Sequence, residues 1–90
     1  MTSTRKPTRR QLRAHLDGLT DVDRAGLELS VDRGELRRSN VTSTTAGSLY
    51  WQTCARLRAA GLVTVDSIGH IIVVPTELGR LVVEEARRDA

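Results

Sequence analysis

Two short β-branched runs, Leu62-Val63-Thr64-Val65 and Ile71-Ile72-Val73-Val74, constrain this chain more than any other feature. Between them lies Asp66-Ser67-Ile68-Gly69-His70, a polar turn in which Gly69 is free to take positive φ. The pattern predicts one β-hairpin. A two-stranded hairpin is marginal alone and needs a surface to pack on. Helical patterns flank it on both sides. An apolar, Arg-studded stretch stops at Gly61, and Pro75-Thr76 opens a helical stripe again. The hairpin is therefore expected to lie against helices.

The chain has 90 residues, enough for one domain and one core. With one Trp, one Tyr and no Phe, that core must be built from Leu, Val, Ile and Ala. No apolar run approaches the length of a membrane span. The basic N-terminal stretch is not followed by an apolar segment, so it does not read as a signal peptide. The single cysteine, Cys54, cannot form an internal disulfide and falls in an apolar helical pattern, as a buried thiol would. A cytoplasmic protein is expected. One Cys and two distant His offer no metal site. No Gly-rich phosphate loop, nucleophile elbow or paired-acid constellation is present, so the expectation is a non-enzyme without cofactor or small-molecule ligand.

Residues 1–8 are polar, basic and contain Pro7, and read as a flexible basic arm. Residues 9–90 read as one domain. Leu12, Leu16 and Leu19 form a stripe on a first helix that starts at Arg9 and ends near Gly18. Thr20 is placed to cap a second helix, with Asp23 at its third position as a capping-box variant. Val22, Ala25, Gly26 and Leu29 are assigned to its inner face, with Leu27 and Val31 beside it, and Gly34 terminates it. The segment Ser39-Asn40-Val41-Thr42-Ser43-Thr44-Thr45 lacks apolar periodicity and suits turns and caps. A third helix is expected over about 44–60. Its inner face carries Ala46, Gly47, Tyr50, Cys54 and Leu57, with Trp51 at the edge. Its other face carries Thr45, Ser48, Gln52, Ala55, Arg56 and Ala59. After the hairpin, Thr76 caps a last helix with Leu78, Leu81, Val82, Glu85 and Ala86 on one stripe.

Charge is unevenly placed. Arg5, Lys6, Arg9, Arg10 and Arg13 fall in an N-terminal stretch with no acid, and Arg33, Arg37, Arg38, Arg56 and Arg58 fall in a second block. Asp17, Asp21, Asp23, Glu28 and Asp32 lie between them. Such an arrangement suits a phosphate-bearing partner or, more blandly, solvated helix faces.

Helix, helix, helix, hairpin, helix is the order of a winged helix-turn-helix. Leu57-Arg58-Ala59-Ala60-Gly61-Leu62-Val63 resembles the L-x-x-x-G-L-V that closes the recognition helix and enters the wing in MarR-type and PadR-type transcriptional regulators. Thr76-Glu77-Leu78-Gly79 resembles the T-x-x-G that follows the wing in the same proteins. The resemblance covers roughly residues 20–86. It implies a mainly α fold with a small β-hairpin: a three-helix core, a two-stranded wing and a C-terminal helix. It also implies that the helix at about 44–60 enters a DNA major groove. By position, Thr45, Ser48, Gln52 and Arg56 would face base edges. Thr42, Ser43 and Thr44, with Arg37 and Arg38, would hold phosphates. Arg5, Lys6, Arg9 and Arg10 would add backbone contacts, and His70 is the one cationic candidate at the wing tip. Between Glu35 and Ser43 only Leu36 and Val41 are apolar. The amphipathic helix that the family places there is therefore expected to be one turn or missing.

The function implied is a small double-stranded-DNA-binding protein, a transcriptional regulator or an accessory architectural factor of repressor or excisionase type. Its size suits a phage or mobile-element gene. The alternative is a winged-helix protein–protein interaction module that does not bind DNA, which the acidic second helix and near-neutral wing favour. RNA binding through the arm has little support, with two aromatics near the core face. Two readings of the Leu stripes on the first and last helices stand: a homodimer interface, or packing within the domain.

Overall fold

The computed structural model describes residues 6–37, 51–66 and 71–88. Among them the chain forms α1 (Arg9–Asp17), α2 (Asp21–Arg33), β1 (Leu36–Arg37), α3 (Trp51–Ala59), β2 (Val63–Asp66), β3 (Ile72–Pro75) and α4 (Glu77–Arg88). It is mainly helical with a small three-stranded antiparallel sheet of order β1-β3-β2. No described helix is long and apolar enough to cross a membrane.

The helix starts follow their caps. Thr8 opens α1 with a full capping box: its hydroxyl accepts from the Gln11 amide at 3.2 Å and its amide donates to Gln11 Oε1 at 2.9 Å. Thr8 is thus the N-cap of the helix that starts at Arg9. Thr20 caps α2 as expected, accepting from the Asp23 amide at 3.1 Å. Gly34 ends α2 at φ +81°, a conformation other residues avoid.

The inner face of α2 differs from expectation. Asp23, Gly26, Leu27 and Ser30 are buried, whereas Val22 and Ala25 are exposed. Apolar residues occur all round this helix, so periodicity alone leaves its rotation open. Two polar contacts accompany the observed facing. The Ser30 hydroxyl donates to the Leu27 carbonyl at 2.7 Å, which removes the penalty for burying it. Asp23 meets an arginine from α3.

The hairpin is present, shifted by one residue from the expected strands. Val63 pairs with Pro75, Thr64 with Val74, Val65 with Val73 and Asp66 with Ile72. The expected two-stranded hairpin is part of a three-stranded sheet. Leu36 and Arg37 pair with Val73 and Ile72, so β3 is central. Pro75 lies past the end of β1, where its missing N–H interrupts no pairing to that strand. Leu36 is fully buried opposite Val73, which explains the strand: one apolar residue followed by an exposed Arg is the two-residue alternation of a sheet edge. The support the hairpin needs is therefore α2, α3 and α4 on one face and β1 at its side.

Leu12, Leu27, Leu36, Cys54, Leu57, Leu62, Val63, Val73, Val82 and Val83 form one core. The Leu stripes of the first and last helices pack within the domain. Leu12 is buried, Leu16, Leu19, Leu78 and Leu81 are partly buried against the core, and α1 lies on α4. Glu85, on the apolar stripe of α4, is fully buried and takes Arg9 side-on, with Nε at 3.0 Å from Oε1 and Nη2 at 3.2 Å from Oε2, while Arg13 Nε lies 3.5 Å from Oε2. These guanidinium groups hold the Glu85 carboxyl below its usual range, Arg9 contributing most.

Candidate nucleic-acid interface

α3 is fixed at its C-terminal end by the motifs that carried the resemblance. Gly61 adopts φ +76°, the Leu62 amide donates back to the Leu57 carbonyl at 2.9 Å, and the Gly61 amide donates to the Arg58 carbonyl at 3.0 Å. These are the two bonds of a Schellman cap, and Leu57 and Leu62, the apolar pair that accompanies it, are both fully buried. The cap turns the chain straight into β2. Thr76 then returns to it: its amide donates to the Leu62 carbonyl at 2.9 Å and its hydroxyl donates to the Gly61 carbonyl at 2.8 Å. The same hydroxyl accepts from the Gly79 amide at 3.0 Å, capping α4. Gly79 packs directly on Leu62, where any Cβ would overlap the Leu62 carbonyl oxygen. L-x-x-x-G-L-V and T-x-x-G are thus two halves of one backbone joint.

The flank of α3 is fixed by Arg56. Its Nε lies 3.0 and 3.1 Å from the two Asp23 carboxylate oxygens, and its Nη2 lies 2.7 Å from Oδ1 and 3.3 Å from Thr53 Oγ1. Asp23 is buried, while the Arg56 side chain is about half exposed (52%). The Arg56 hydrogen bonds hold the Asp23 carboxyl below its usual value against the opposing effect of burial, with the Arg56 charge and Thr20 adding to the lowering.

Arg56 is exposed, as its assignment to the base-edge face expects, and its guanidinium also reaches Asp23 of α2. Gln52 is exposed, as expected. Thr53, Cys54 and Leu57 form the buried face, and burial pushes the Cys54 thiol pKa up. Thr53 was not foreseen there. It lies inward because the α2 flank, with Asp23 and Arg56, wraps that side of the helix. The exposed residues of α3 are Trp51, Gln52, Ala55, Arg56, Arg58 and Ala59, with Arg56 at the α2 flank. Trp51, expected at the edge of the core face, is about half exposed (48%).

The other candidates are dispersed. Arg9 is on α1, tied to Glu85. Lys6 and Arg10 are exposed at the same end of the chain. Arg37 stands on the outer face of the sheet, opposite Ile72, with Glu35 Oε2 at 3.5 Å from its Nε. Arg5, Arg38, Thr42, Ser43, Thr44, Thr45, Ser48 and His70 lie outside the described residues, and so do residues 38–43 of the segment in which the second helix of a helix-turn-helix is in question, whose Leu36 and Arg37 are strand.

Sequence reasoning missed Arg58 as a functional candidate. It is exposed and has no ion pair among the described residues. Trp51, Ala55 and Arg58 at i, i+4 and i+7 form one helical stripe, a signal readable from the sequence once Cys54 and Leu57 are taken as the inner face. Among the described residues no cluster of His, Cys, Asp and Glu could hold a metal ion. No family model matches the chain, and no curated protein or solved structure matches it.

Proposed function

We propose that the chain is a winged-helix protein that binds double-stranded DNA through α3, as a transcriptional regulator or accessory architectural factor of the cytoplasm. The observation that carries this reading is the outward face of α3. It combines a cation without an ion pair among the described residues, an amide and two alanines on a helix held at its end by the Gly61–Thr76 joint and at its flank by Asp23. An ordinary solvated helix mixes Glu and Lys on its outer face. This one carries no acid among its described residues and is shallow enough at Ala55 and Ala59 to approach another surface closely. A major groove about 12 Å wide accepts such a helix. The exposed Lys6 and Arg10 add phosphate-binding charge.

A second reading, a protein-interaction module, is favoured by Trp51 and Val22, the exposed large hydrophobic side chains among the described residues, which stand on the adjacent helices α3 and α2. Selection of duplexes from a random DNA pool at near-physiological salt separates the two. An enriched motif supports DNA reading, and an inverted repeat within it would report a dimer. Retention without enrichment, falling steeply with salt, leaves an architectural role. No retention favours the protein partner.

A further inference from the structure

We infer that Arg58 and Trp51, not Arg56, carry the base preference of α3, with Arg58 reading a guanine and Trp51 a thymine methyl about three base pairs away. The inference rests on the DNA-binding reading above and names its contacts. Arg56 offers its Nε and Nη2 to Asp23, the edge a guanidinium would present side-on to a guanine. To read a base side-on it must leave a buried carboxylate without its cation, and its outer edge is held in the direction the Asp23 contact sets. Arg58 has no such competitor among the described residues and stands on the exposed side of the helix.

Trp51 and Arg58 share a stripe, seven residues apart, with only the Ala55 methyl between them. Seven residues of helix rise about 10 Å. Successive base pairs are about 3.4 Å apart, so the two ends of the stripe span about three steps. Arg presents a two-point donor fork to guanine O6 and N7, and an apolar side chain suits the thymine methyl. A half-exposed indole on a face otherwise lined by small and polar groups is placed for the second contact. Gln52 and Ala59 occupy the neighbouring row, where the glutamine amide suits a base between the two.

The test is duplex selection followed by anisotropy titration, with the full chain and its Arg58→Ala, Arg58→Lys, Trp51→Ala and Arg56→Ala variants, at a temperature where circular dichroism shows each folded. Arg58→Ala should weaken binding to the selected duplex about 10-fold or more and flatten the preference at one guanine. Arg58→Lys should keep the affinity for random duplex and still lose that preference, because the charge stays and the fork goes. Trp51→Ala should relax a thymine about three pairs away. Arg56→Ala takes away the flank support of α3, so it should weaken binding to every duplex alike and keep each base preference. A wild-type motif selected unchanged by Arg58→Ala, or a base position lost in Arg56→Ala, overturns the inference while DNA binding stands. A wild-type protein that retains no duplex overturns both.

Discussion

Replacing Gly79 with alanine tests whether the α3–β2 corner and the start of α4 are one joint. In most helices the change helps, since alanine is better than glycine by roughly 0.5–1 kcal/mol. Here the added Cβ would overlap the Leu62 carbonyl oxygen and come within 3.3 Å of Leu27 Cδ1. Neither neighbour yields easily. Leu62 is fully buried, and its carbonyl holds the Thr76 amide at 2.9 Å. Relief requires α4 to lift from the corner, which strains or breaks both Thr76 bonds at about 1 kcal/mol each. Overpacking of the core adds about 1–3 kcal/mol. After the helix gain, a net loss of about 3 kcal/mol is expected, a fall in melting temperature on the order of 15 °C for a chain of this size. Urea and thermal denaturation followed by circular dichroism measure it. Two other glycines calibrate the result. Gly61→Ala meets no atom within 4 Å but sits at φ +76°, so it should cost about 1–2 kcal/mol through the backbone alone. Gly18, at φ −81° with its nearest neighbour 3.5 Å away, should tolerate alanine or gain about 0.5 kcal/mol. A Gly79→Ala protein that melts at or above wild type would refute the joint.

The remaining expectations concern the ion pairs and caps. Arg56→Ala should lower the denaturation midpoint, because the buried Asp23 carboxylate loses its guanidinium, and adding Asp23→Asn should recover part of the loss; equal stability of Arg56→Ala and wild type would show the pair to be idle. Asp23 has a depressed folded pKa, so its stabilisation is complete above its usual 3.8 and is lost as pH falls through the lower folded value. Glu85 follows the same sign below its usual 4.5. Acid melts of Glu85→Gln should therefore show a shallower loss of stability below that pH than wild type, with the two converging as the wild-type carboxyl protonates. Thr8→Ala removes the hydroxyl that accepts from the Gln11 amide and leaves the backbone arm of the capping box, so it should cost about 1 kcal/mol by thermal melt; no change would show the cap to be idle.

Much of the architecture was legible because it rests on local chemistry. Thr20, Gly34, Gly61 and Thr76 punctuate the helices through hydroxyls and positive-φ glycines, and these signals act within a few residues. The hairpin was legible from its β-branched runs. The third strand was not, because Leu36-Arg37 is too short to show alternation and exists only through its distant partners Ile72 and Val73. The rotation of α2 was obscured for a related reason. Its apolar residues surround the helix, and the residue that marks its inner side is an acid. Asp23 is buried only because Arg56, 33 positions later, meets it there. Glu85 in α4 repeats the pattern across 76 positions with Arg9. Pattern reading assigns carboxylates to solvent unless a cation is known to face them, and long-range pairing is what a linear sequence hides.

That same limit bears on the candidate site. An arginine on the outward half of a helical wheel looks available for a partner, yet a half-exposed Arg beside a buried acid is engaged on its inner edge and wet on its outer one. Arg56 and Arg58 are two residues apart on α3, about 160° apart around its axis. One supports the helix against α2, and the other stands free among the described residues. A basic surface therefore cannot be counted from arginines alone. Arg9, Arg13 and Arg87 are partly neutralised by Glu85, Glu28 and Asp32, with Arg87 Nη2 at 2.7 Å from Asp32 Oδ1. If DNA is the partner, the salt dependence of binding should report fewer phosphate contacts than the formal cation count suggests, since each contact contributes a slope of about 0.9 and paired arginines release no counterions. A slope approaching one contact for every arginine in the two basic blocks would mean that these pairs open on DNA, and that the free protein holds its arginines in reserve.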